Sequence, residues 1–211
     1  MTALQETRFI FLIPEIETRN ASERHDAYHY SAIDRDNLTK MIRKPRFGML
    51  YELQLPKPWD EGSEQRLVDN AIEQCVLGDK LGIDYAWAVE HHFLEEYSHC
   101  SASDVFLSAI AAKTERIKIG FGIRQVIPNY SHPARTAEAV AMLDLVSHGR
   151  AQFGIGEGAT RLELGGFGID AKRKRAMSLQ SAREIADMIG NGALSRLSRS
   201  RLVNALSECL A

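Results

Sequence analysis

A chain of 211 residues that is 45% hydrophobic and 26% charged can bury one ordinary core, which excludes disordered and fibrous classes. Its net charge of −2, with basic residues dispersed, argues against nucleic acid and anionic membranes as partners and suits a small, nearly neutral substrate. Cys75, Cys100 and Cys209 form neither a zinc pattern nor an even disulfide framework, and the apolar run from Phe9 to Ile13 ends at Pro14, too short for a membrane span. A reduced cytoplasmic setting without export is the expectation.

Residues 1 to 40 mix charges with His25, Tyr28, His29 and Tyr30 without a sustained period and are read as an extension, mostly loop. A further reading makes Met41 the ancestral start. From Arg46 to Leu53 the chain has the short apolar character of a buried strand, followed by the breakers Pro56 and Pro58. A helix is expected from Ser63, its hydroxyl capping free N–H groups, with Val68, Ala71, Ile72, Cys75 and Val76 on one face and Gly82 closing it. Asp84 to Val89 reads as a second strand, and Ser101 or Ser103 opens a second helix carrying Val105, Phe106, Ile110 and Ala111. Ile117 to Gly122 is a third strand, Pro133 begins a third helix that ends at Gly149, and Ala151 to Ile155 is a fourth strand. A loop holding Gly165, Gly166 and Gly168 leads to a fourth helix, Lys172 to Ile189, with Ala176, Leu179, Ile185, Ala186 and Met188 inward.

Strand starts recur at roughly 34 residues, the length of one βαβ unit. The fold class is therefore α/β with parallel strands, in residues 41 to 189. Periodicity leaves open whether the sheet is a closed barrel or an open doubly wound one. Residues 190 to 211, with Ser195-Arg196-Leu197-Ser198-Arg199-Ser200-Arg201, are biased unlike anything before them and read as an atypical tail, from a shifted frame or a remnant. Its arginines lack interleaved aromatics, so a solvated end is preferred to nucleic-acid binding.

Two segments carry candidate chemistry. Glu90-His91-His92-Phe93 follows the second strand directly, at the end that α/β folds use as their active face. Alternation puts Tyr85, Trp87 and Val89 on one face and Ala86, Ala88 and Glu90 on the other, so the small residues and the carboxylate are expected to line a barrel interior and Glu90 to orient a histidine. Histidine titrates near neutrality and can move a proton; the bland alternative is a pair hydrogen-bonded to loop carbonyls. A zinc site with His99 and Cys100 is disfavoured because His91 and His92 are adjacent rather than spaced. The second segment, Phe153-Gly154-Ile155-Gly156-Glu157-Gly158, has glycines that let a flat cofactor approach the backbone. It also fits G-x-G-x-x-A, but the following 162 to 168 reads as a loop, not as a helix receiving a pyrophosphate. Hydrolase elbows, P-loops and H-E-x-x-H helices are absent from the sequence.

Taken together, Trp87 to Phe93, Ile127-Pro128, His132 to Glu138, Met142-Leu143-Asp144 and Ser147-His148-Gly149-Arg150 resemble the luciferase-like monooxygenases in order and spacing over about Phe47 to Met188. That resemblance implies a (β/α)₈ barrel binding FMN, reduced by a separate flavin reductase, that activates O2 and oxidises a small organic substrate. It implies catalysis at His91, with His92 as neighbour and Glu90 as orienter, and flavin contact from Phe121, Gly122 and Ile123 and from Gly156, Glu157 and Gly158. Helices two and three often build a homodimer in this family. Only about four βα units are present where a barrel needs about 250 residues, so an incomplete, truncated barrel is expected. Glu157 stands where some relatives carry an arginine near the phosphate, and it is expected to repel that group. The alternative to an enzyme is a catalytically silent fragment that binds flavin or associates with another subunit. No metal is expected.

Overall fold

The computed structural model describes residues 10–12 and 45–190. The elements are β1 (Ile10–Leu12), β2 (Phe47–Tyr51), α1 (Ser63–Leu81), β3 (Tyr85–Val89), α2 (Ser103–Ala111), β4 (Lys118–Gln125), α3 (Pro133–Val146), β5 (Ala151–Gly156), α4 (Arg161–Gly166) and α5 (Lys174–Gly190). Except for β1, the expected N-terminal extension lies outside the described residues, as do Met41 and all of the tail beyond Gly190.

The sheet runs β1-β2-β3-β4-β5. Strands β2 to β5 are parallel, and β1 pairs antiparallel with β2 through Ile10 and Met49. Strand order follows chain order without a reversal, and side chains of α1, α2, α3 and α5 join one core on a single face. A doubly wound sheet reverses its order and covers both faces, so the arrangement is that of a (β/α) barrel, with four βα units among the described residues.

The outer layer explains why these segments form these elements. Ala71 and Cys75 of α1, Phe106, Leu107 and Ile110 of α2, Val140 and Leu143 of α3 and Ile185 and Ile189 of α5 bury against Ala86, Ala88, Ile119, Phe121 and Phe153 of the strands. Bulky helix residues fill that layer, so β3 presents alanines to it. The expectation that Ala86 and Ala88 line the interior is thereby overturned. Tyr85 and Trp87 take the inner face, stacked with ring centres 5.4 Å apart, and a Cβ on Gly48 or Gly120 would press into the Trp87 ring.

Several local expectations also shift. Val105 is 68% exposed because the buried stripe of α2 runs Ser103, Phe106, Leu107, Ile110. Ser63 does not cap α1; its hydroxyl accepts from the Asp60 N–H and donates to the Asp60 carboxylate. In α5 the inward face is Ser178, Ser181, Ala182, Ile185 and Ile189, and Ala176 is exposed.

Strand β4 carries a one-residue bulge. Ala88 opposes Phe121 but Val89 opposes Ile123, and on the other side Phe121 opposes Phe153 whereas Arg124 opposes Ile155. A bulge resets the alternation of faces, so Arg124 lies on the same side as Phe121, its guanidinium carbon 5.4 Å from that ring, and Ile123 is left 38% exposed. Beside the bulge, Gly154 permits close approach: a Cβ there would sit 2.5 Å from the Gly122 carbonyl oxygen.

Candidate functional site

At the carboxyl ends of the strands, backbone alternation separates the two histidines. Residues one apart in an extended chain point to opposite sides, and residues two apart share one. Glu90 therefore meets His92, not His91: Glu90 Oε1 lies 3.0 Å from His92 Nε2. The other Glu90 oxygen accepts from the Gln125 N–H at 3.2 Å and pairs with Arg124 Nε at 3.3 Å. His92 is boxed by aromatic rings, parallel to Tyr130 at 5.7 Å and edge-on to Phe167 at 4.9 Å. The expected role of Glu90 as orienter of His91 is corrected accordingly.

His91 is held by two carboxylates that the sequence reading did not single out. Its Nδ1 lies 2.9 Å from Glu163 Oε1, and its Nε2 lies 3.3 Å from Glu52 Oε2. Tyr97 packs edge-on to the imidazole at 5.3 Å. Burial works against charge on His91, but the hydrogen bonds to Glu52 and Glu163 outweigh it and raise its pKa above the ordinary histidine value.

Glu163 is wholly buried and fully used. Oε1 also accepts the His92 N–H at 3.0 Å, and Oε2 accepts the Thr160 hydroxyl at 2.7 Å. Burial alone would raise this carboxyl, yet the bonds from Thr160, His91 and His92 hold it below the usual range. Thr160 caps α4, its Oγ accepting the Glu163 N–H at 3.1 Å. Here a sequence signal was missed. Thr160-x-x-Glu163 is a capping-box pattern, and it marks a helix where a loop was expected. For Glu52 the signal was a lone carboxylate at the end of an apolar run.

The remaining expected residues scatter. Phe121 is fully buried in the outer layer against Phe153, 5.9 Å between ring centres, so its side chain cannot face a ligand on the inner face. Gly122, Ile123 and Gly156 stay on the inner side, where a Cβ on Gly122 would touch Leu50 and one on Gly156 would strike Ile123. Gly158, at φ +72°, has the Tyr130 hydroxyl where a Cβ would sit. Burial pushes that hydroxyl up to about 12, which keeps it a neutral phenol. Glu157 does not stand as a bare charge: Lys174 Nζ is 3.4 Å and Arg175 Nη1 3.7 Å away, and Lys174 also donates to the Gly158 carbonyl. Phe93, the last residue of the motif, adopts φ +62°, a conformation that costs energy for a bulky side chain, with its ring on Phe167.

A family model described as luciferase-like monooxygenase matches residues 51–191. The chain belongs to this family. Among similar relatives, the oxygenase component of the flavin-dependent trigonelline monooxygenase of Acinetobacter baylyi is 33% identical over 120 residues, covering 56% of this chain and 31% of that protein. The alkanal monooxygenase alpha chain of Aliivibrio fischeri is 31% identical over 119 residues, 55% of this chain and 32% of that protein. Among solved structures, the monooxygenase RslO1 of Streptomyces bottropensis superposes with a TM-score of 0.59 at 27% identity, covering 66% of this chain and 41% of its own. The oxygenating constituent of 3,6-diketocamphane monooxygenase of Pseudomonas putida, in complex with FMN, gives 0.60 at 23% identity, 67% and 38%. The chain spans about a third of the length of these luciferase-like relatives.

Proposed function

We propose that this chain carries the flavin-facing portion of an FMN-dependent monooxygenase, with His91 as its acid–base residue. The observation that carries the reading is the convergence, on one rim, of a histidine flanked by two carboxylates with the carboxyl ends of β4 and β5. Gly122 and Gly156 lie on the inner side of β4 and β5 against Leu50 and Ile123, and exposed Ile123 offers apolar surface on which a flat ring system can lie. Those residues fit FMN. Lys174 and Arg175 offset Glu157, so the rim does not repel a phosphate as an isolated carboxylate would. Bound reduced FMN supplies the electrons that activate O2. The protein's own residues orient the ring, shield it and hold a proton at His91.

The substrate class is a small organic molecule, and a flavin reductase is the expected partner, as an oxygenase component in the trigonelline relative implies. Exposed Val105 on α2 and Met142 and Leu145 on α3 support a homodimer through those helices. A cytoplasmic setting accords with Cys75 and Cys100, both free and buried.

The test is titration with FMN and with reduced FMN, following flavin fluorescence and thermal stability, since a ligand that binds only the folded state must raise its melting temperature. Saturable, stabilising binding together with O2-dependent turnover that His91→Ala abolishes is the expected result. A folded chain that binds neither form of the flavin would instead be the silent fragment.

A further inference from the structure

His91 has an acidic partner on each ring nitrogen, Glu163 on Nδ1 at 2.9 Å and Glu52 on Nε2 at 3.3 Å. A neutral imidazole has one N–H and one lone pair, so it can donate to only one of them and must turn a lone pair toward the other. Only the imidazolium donates to both. Glu163 cannot relieve the conflict by taking up a proton cheaply, because its two oxygens already accept from Thr160, His92 and His91. The other groups near this ring do not compensate: Tyr97 is a neutral phenol at its edge, Glu90 is committed to Arg124, His92 and Gln125, and the Cys100 thiol is pushed up to about 12 by burial.

We infer that Glu163 is a positioning residue that fixes His91 as a charged ring, and that Glu52, within ion-pair reach of Nε2, is the acid–base partner through which His91 exchanges its Nε2 proton. The two carboxylates divide these tasks by how they are held. Both Glu163 oxygens accept from Thr160, His92 and His91, whereas the Glu52 side chain is 19% exposed and its Oε2 has the His91 ion pair and no hydrogen bond among the described residues. Transfer breaks the Nε2–H bond and forms an O–H bond on Glu52, leaving a neutral imidazole and a neutral carboxylic acid. The ring stays in place on Glu163 throughout. The assignment rests on the reading of His91 as the acid–base residue, but its test does not require flavin or turnover.

That test is an imidazole-nitrogen NMR titration of the full chain without ligand. At pH 7 free histidine, with a pKa of about 6.5, is roughly three-quarters neutral. His91 is expected to show both nitrogens at imidazolium shifts at that pH, and to titrate above the ordinary histidine value. Glu163→Gln and Glu52→Gln should each lower the midpoint, and Glu163→Asp should restore part of the loss, which a purely structural role for Glu163 would not produce. His91 appearing at pH 7 as a single neutral tautomer would overturn the assignment. So would an unmoved midpoint in Glu52→Gln, a substitution at a partly exposed side chain. If FMN fails to bind while the midpoint remains high, the monooxygenase reading falls and the clamp stands; the reverse pattern removes the clamp alone.

Discussion

Both ends of the sheet bury charge, but they treat it differently. At the amino-terminal end, every N–H of the Arg150 guanidinium has a partner: Ser147 O, Ile117 O, Ala111 O, Thr114 O and the Thr114 hydroxyl. Asp79 accepts the successive backbone N–H groups of Glu115, Arg116 and Ile117. At the carboxyl end, Gln125 Oε1 and Tyr130 Oη are buried without a hydrogen bond among the described residues, and Glu52 Oε2, Arg124 Nε and Glu157 Oε2 are buried with an ion-pair partner at 3.3, 3.3 and 3.7 Å but no hydrogen bond. A satisfied network is a fastener, and an incompletely satisfied one is held ready for something else. In barrels of this type the first belongs to the stability face and the second to the catalytic face.

The contrast can be broken by substitution. The largest expected effect is at the fastener: Arg150→Ala takes the guanidinium from four backbone carbonyls and should lower unfolding free energy by about 3 kcal/mol in urea titration. Gly154→Ala should cost about 2 kcal/mol by the same measurement, because the new methyl meets the Gly122 carbonyl backbone and not a movable side chain.

The carboxyl end should instead betray itself through pH. His91 has a raised pKa, so its contribution is complete below the unfolded value and is lost as pH rises through the folded one. Glu163 has a lowered pKa, so its contribution is complete above the unfolded value and is lost as pH falls through the folded one. The stability difference between wild type and Glu163→Gln should therefore peak between those limits and shrink on both flanks, whereas the deficit of Arg150→Ala should stay flat over the same range. Smallest is the effect of Glu157→Gln, which releases Lys174 and Arg175: FMN should bind about fivefold tighter, near 1 kcal/mol, and less so at high salt.

What the sequence made legible follows the same division. The outer layer was readable because helix and strand periodicities are local: the stripe of α1, Pro133 at the start of α3 and the parallel order all follow from spacing. The family motifs, however, are spread over both ends of the sheet. Glu90 to Phe93 lies at the site, whereas Ser147-His148-Gly149-Arg150 builds the fastener, with the Ser147 hydroxyl accepting the Arg150 N–H and Gly149 at φ +82°. Resemblance alone does not tell those roles apart. Glu52 and Glu163 stayed hidden because they meet His91 across 39 and 72 residues, and contact at such separations is fixed by topology. Glu90 meets His92 and not His91 because residues two apart in an extended chain share a side, an alternation that the sequence itself carries.

The bulge in β4 makes the length of that strand matter as much as its composition. One additional residue between Phe121 and Arg124 keeps the guanidinium beneath Glu90 and beside Asp104, at 3.3 and 3.7 Å. Losing a single residue there would change no motif, yet it would swing Arg124 toward the inner face and strand Glu90 without its cation. In this segment the spelling tolerates exchange of letters more readily than the loss of one.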